Sequence, residues 1–96
     1  MTDRELLELA AKASGLEEAK MRIEFNQWNP LVDDGDALRL AVQFGMNIHY
    51  PTMIGKSQVH VSSIKRVEET LFNDPLAATR RAIVRAAAEI GRNMKE

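Results

Sequence analysis

Asn73-Asp74-Pro75 is the strongest structural signal in the chain. An aspartate stands where it can cap a helix, and proline follows at the first helical position, where its missing N–H costs nothing. Alanine, the best helix former, recurs through the residues that follow. The spacing predicts one helix from Pro75 to about Asn93, with a core stripe of Leu76, Thr79, Ile83, Ala86 and Ile90. In 96 residues such a helix belongs to one small domain, residues 1–96, with a single modest core.

Two further helices have equally local signals. Thr2 followed by Glu5 reads as a capping box, with Leu6, Leu9, Ala10 and Ala13 as the apolar face and Gly15 as the stop. Asn29-Pro30 can start a single helical turn. Asp33, with Asp36 three residues on, then caps a helix whose face reads Leu38, Ala41 and Val42, flanked by Leu40 and Phe44 and stopped by Gly45.

Elsewhere the apolar period is two. Met21, Ile23 and Phe25 alternate with charged residues, as do Met46, Ile48 and Tyr50 with Asn47 and His49, and Val59 and Val61 with Gln58, His60 and Ser62. Keeping the apolar side chains on one face pairs Tyr50 with Val59 and Ile48 with Val61, which sets His49 opposite His60 on the other face. Val67, Glu69 and Leu71 continue the pattern into a last short strand. The expected fold is α+β, with three helices packed on a small, mainly antiparallel sheet of three to four strands. Leu38, Val42, Ile48, Val61, Ile83 and Ile90 are its expected core.

Composition excludes several classes. With no cysteine there are no disulfides, thiolate metal sites or cysteine nucleophiles. No apolar run approaches the roughly 20 residues of a membrane helix, and the N-terminus is no secretory signal, so a soluble protein without membrane partners is expected. A net charge of −1 argues against strong nucleic-acid binding and against a DNA mimic. Neither GxGxxG nor a Walker sequence appears, and no cofactor is expected.

Four groups of residues can carry chemistry. Asp33, Asp34 and Asp36 can hold a hard cation or serve as helix caps; the following residues do not continue an EF-hand, and no metal site is expected. His49 and His60 can share a transition metal, titrate as a pair, or lie on a solvated sheet face. Arg81, Arg85 and Arg92 share one face of the last helix beside Arg80; their guanidinium forks suit phosphates or a partner's carboxylates, unless Glu89 pairs with Arg85 and Arg92. Trp28, the one tryptophan, either stacks on a base, anchors an interface or closes one end of the core.

Two segments resemble a known family. Residues 28–42, WNPLVDDGDALRLAV, and residues 78–91, ATRRAIVRAAAEIG, resemble the opening motif and closing helix of the phage ABA sandwich domain family of small tailed-phage and prophage proteins. Together they cover about a third of the chain, and the first helix fits as well. The resemblance implies helices on both faces of a sheet and a phage protein acting in the host cytoplasm, with counter-defence as its theme.

The expected function is that of a non-enzymatic binding protein that sequesters a nucleotide-derived signal. Arg80, Arg81 and Arg85 would neutralise phosphate, and Trp28 or Tyr50 would stack on the base. The alternative is a protein–protein inhibitor of a host defence complex, similar in action to an anti-CRISPR protein. The partner is accordingly a nucleotide-type small ligand or a host protein, with self-association into a homo-oligomer left open. A concave arginine cluster favours the ligand, and a flat one favours the protein.

Overall fold

A computed structural model describes residues 1–15, 27–50, 58–71 and 74–94. These form three helices, α1 (Asp3–Ser14), α2 (Asp34–Gln43) and α3 (Pro75–Arg92), and a three-stranded antiparallel sheet. Its strands are β1 (Asn47–His49), β2 (Gln58–Ser62) and β3 (Arg66–Thr70), in the spatial order β1-β2-β3. The expected strand at Met21, Ile23 and Phe25 lies outside the described residues.

Each helix starts where its local chemistry dictates. Thr2 and Glu5 form the reciprocal capping box, each accepting the other's backbone N–H at 3.1 Å. Those bonds to Thr2, its backbone N–H first and its side chain second, hold the Glu5 carboxyl below its ordinary value. Gly15 ends α1 with φ +78°, a conformation that costs glycine little. Asp33 caps α2 by accepting from the Asp36 amide at 2.8 Å, and Asp74 caps α3 by accepting from Ala77 at 3.0 Å, with Pro75 just inside.

The strand register follows the apolar pattern. Ile48 pairs with Val61, His49 with His60, and Val61 with Val67. Val59, Val61 and Val67 are buried beneath α3, which packs on one face of the sheet. α1 lies beside α3 and runs parallel to it: Asp3 meets Arg81, Leu9 meets Gly91, and Lys12 reaches the Met94 carbonyl at 3.4 Å. Among the described residues the second helix layer implied by the family resemblance is not seen; the other sheet face presents Asn47, His49, His60, Ser62, Arg66 and Glu68.

The core is centred differently from the sequence expectation. Val61 and Ile83 are buried and Ile90 is half-buried, but Leu38, Val42 and Ile48 are 61%, 73% and 40% exposed. On α2 the buried residues are Ala37, Leu40 and Ala41, with Phe44 half-buried. That stripe has the i, i+3, i+4 spacing of the expected one, extended to i+7 by Phe44, and lies about 100° around the helix. Anchorage of the first turn selects it, because Asp36 accepts from the Asn29 amide at 2.9 Å and so fixes how α2 leaves the preceding turn. α1 is rotated in the opposite sense, burying Leu6, Leu7, Ala10 and Ala11. On α3 Leu76 is exposed, while Ala78, Ala82, Val84, Ala86, Ala87 and Ala88 are buried. Surrounded by α1, α2, β2 and β3, α3 is packed through small side chains rather than one aliphatic stripe.

Candidate functional site

The two sequence motifs meet at Arg80. Residues 29–33 form one helical turn, in which the Val32 and Asp33 amides bond to the Asn29 carbonyl at 3.1 and 2.9 Å. Asn29 Oδ1 accepts from the Leu31 amide, Pro30 is fully buried, and Trp28 is 7% exposed. Arg80 on α3 then reaches across, donating from Nε to the Leu31 carbonyl at 2.9 Å and from Nη1 to Asp34 Oδ1 at 2.7 Å. Its side chain is 17% exposed. Trp28 therefore closes one end of the core, and Arg80 clamps the turn that carries it.

The three aspartates are likewise engaged with the protein. Asp33 caps α2, Asp34 pairs with Arg80, and Asp36 holds both the Asn29 amide and Arg39, the latter at 2.9 Å. Among the described residues no group of three or more histidine, aspartate or glutamate side chains is placed to hold a metal ion.

Arg81 and Arg85 belong to a different place. One helical turn apart, they line a groove of about 360 Å³ enclosed by the start of α1, β3 and α3. Lys65 and Arg66 line its far side, Glu69 and Glu89 complete the polar wall, and Leu6, Val67 and Ala88 form the apolar part. Alternation puts Glu69 on the helix-covered face of the sheet, opposite Val59, where a carboxylate needs a partner. Arg85 supplies it through a direct ion pair and also donates to the Glu68 carbonyl at 3.0 Å, while Arg81 approaches Glu69 at 3.9 Å and Asp3 at 2.9 Å. Glu89 is 3.9 Å from Lys65 and 3.8 Å from Arg92.

The cations that line the groove are partnered: Arg85 with Glu69, Arg81 with Asp3, Lys65 with Glu89 at 3.9 Å, and Arg66, whose guanidinium turns to the other sheet face, with Glu68. The arginines that line it are held in place by carbonyl and carboxylate partners, so their remaining N–H groups are pre-aimed. Among the described residues its wall contains no histidine, cysteine or serine. What it offers is fixed positive charge beside a small apolar floor.

Of the five residues singled out from the sequence, the structure brings Arg81 and Arg85 together and places Arg80, Trp28 and Tyr50 elsewhere. Tyr50 follows β1 and is 47% exposed. The Glu89 pairing expected for Arg92 is present, whereas Arg85 turns to the sheet instead. Lys65 and Arg66, which complete the groove, had no helical or strand period to connect them with α3; only the tertiary packing does so.

No family model, curated protein or solved structure matches the chain. Among the described residues no helix is long and apolar enough to cross a membrane.

Proposed function

We propose that the chain is a non-enzymatic binding protein that holds a phosphate-bearing, nucleotide-type ligand in the groove between α1, β3 and α3. The observation that carries this reading is that Arg81, Arg85 and Lys65 line one concave groove. Guanidinium groups in a partly enclosed site bind phosphate oxygens with charge-assisted, often bidentate hydrogen bonds. Ligand phosphates take the N–H groups that Glu69 and Asp3 leave free, and the floor of Leu6 and Val67 receives an apolar portion of the ligand. With Trp28 in the core and Tyr50 outside the groove, base recognition rests on that floor rather than on aromatic stacking.

The resemblance of residues 28–42 and 78–91 to a phage domain family supports the biological setting. The proposed role is counter-defence in the host cytoplasm, by sequestration of a nucleotide-derived signal.

Calorimetry against a panel of cyclic and ADP-ribose-type nucleotides tests the reading. Arg85→Ala and Arg81→Ala each remove a contact worth about 1.5–3 kcal/mol, a loss of roughly 10–150-fold in affinity. Absence of wild-type binding at micromolar concentrations ends it. The alternative then stands, inhibition of a host protein complex, and it has its own observation: Val32, Leu38 and Val42 are each more than 60% exposed at and beside α2, as an interface anchor requires.

A further inference from the structure

β3 is the last strand of the sheet, and among the described residues no strand pairs with its outer edge. One step beyond the Ser62–Arg66 pair, the Ser63 amide bonds to the Lys65 carbonyl at 3.4 Å. Bonded and open pairs alternate along an antiparallel ladder, so Val61–Val67 and Val59–Glu69 are the bonded ones. Arg66, Glu68 and Thr70 therefore aim their backbone N–H and C=O groups outward, away from β2. Among the described residues one contact reaches these groups, from Arg85 Nη1 to the Glu68 carbonyl at 3.0 Å. It leaves that oxygen its second lone pair.

The sequence along this edge is its own electrostatic complement. Lys65-Arg66-Val67-Glu68-Glu69 carries two cations, a valine and two carboxylates. Turned antiparallel on itself about Val67, it sets Arg66 opposite Glu68, and Lys65 opposite Glu69, of a second copy. The same register makes Arg66 and Glu68 the hydrogen-bonded partners, because these residues hold the outward backbone groups. It also matches the faces: Arg66 and Glu68 lie on the open side of the sheet, and Lys65, Val67 and Glu69 on the helix-covered side. Sliding the copy by two residues either way sets Arg66 against Arg66 or Glu68 against Glu68, which repel. Charge on an edge strand ordinarily discourages pairing with other strands. Halves of opposite sign exempt the strand's own copy from that protection.

We infer that β3 pairs with β3 of a second copy in a two-fold dimer, joining the two three-stranded sheets into one. The pairing does not rest on a ligand in the α1–β3–α3 groove. Strands of five residues bury less than the roughly 1,200 Å² of a standard interface, so the dimer is weak and is sought at concentrations up to about 1 mM.

Sedimentation velocity over a concentration series tests this, with no nucleotide present. Wild type is expected to pass from monomer to dimer as concentration rises. Arg66→Glu and Glu68→Arg should each weaken self-association about tenfold or more, because two symmetric pairs turn repulsive. Mixed in equal amounts, the two variants should associate again, since each charge then meets its opposite. Glu68→Pro, which removes an outward N–H and no bond to β2, should abolish the dimer while the chain stays folded by circular dichroism. A wild type that stays monomeric at about 1 mM overturns the proposal, as does a Glu68 amide protected from hydrogen exchange in the monomer, which means the chain pairs this edge itself. So does self-association that Val42→Glu abolishes and Arg66→Glu leaves unchanged, an outcome that moves the contact to α2.

Discussion

The backbone of Gly91 on α3 packs directly against the carbonyl of Leu9 on α1. A Cβ built on Gly91 would lie 2.0 Å from the Leu9 oxygen and 2.8 Å from its carbonyl carbon. Neither atom belongs to a side chain that can swing away, so the two parallel helices approach this closely only because position 91 is glycine. Gly91→Ala is expected to destabilise the fold by about 2 kcal/mol or more, despite the roughly 1 kcal/mol that alanine gains in helix propensity. Denaturant unfolding checks this; an unchanged midpoint would mean that α1 and α3 separate at no cost.

Arg80 is expected to behave as a structural residue. Arg80→Met removes the donors to the Leu31 carbonyl and Asp34 and should cost about 1.5–3 kcal/mol, with Arg80→Lys recovering only part because ammonium lacks the fork. Arg92→Ala, at a side chain 63% exposed, should change stability by less than about 0.5 kcal/mol. Equal effects at the two positions would contradict the clamp.

Burial separates three aliphatic residues that look alike in the sequence. Ile83→Ala should cost about 2–5 kcal/mol, since the side chain is 4% exposed and its loss leaves a cavity. Leu38→Ala and Val42→Ala should each stay within about 0.5 kcal/mol. Thermal unfolding of the three variants reads the rotation of α2 directly.

The capping box gives a pH signature. Because the folded Glu5 carboxyl is held below its ordinary value by the Thr2 N–H and hydroxyl, its contribution is complete above the unfolded value of 4.5 and fades as pH falls through the lower folded value. Thr2→Ala should cost about 0.5–2 kcal/mol near neutrality. Wild type and Glu5→Gln should converge in melting temperature as the solution is acidified. A difference that persists or grows in acid would contradict the capping assignment.

Helix starts, strand register and the His49–His60 pairing were legible because each rests on neighbours a few residues apart. Asp33 with Asp36, Asp74 with Pro75, and the apolar alternation around Ile48 and Val61 carry their own instructions. Helix rotation was not legible, because Ala37-Leu40-Ala41 and Leu38-Ala41-Val42 are equally periodic and only tertiary contacts, the Asp36–Asn29 bond and the packing on α3, distinguish them. The arginines were visible as a group, but not their division of labour. Arg80 and Arg81 are adjacent in the chain, yet one clamps a turn while the other lines a groove, and the contacts that separate them come from Leu31 and Glu69.

The Arg80 contact with Leu31 joins positions 49 residues apart. Heredity has to treat them as one part. A recombination event that replaced residues 28–36 from one lineage while keeping α3 from another would set Arg80 against a turn of another shape and take away the Asp34 carboxylate. Descendants that keep this fold should therefore carry the turn and the arginine together or have lost both, even where the intervening strands have diverged beyond alignment.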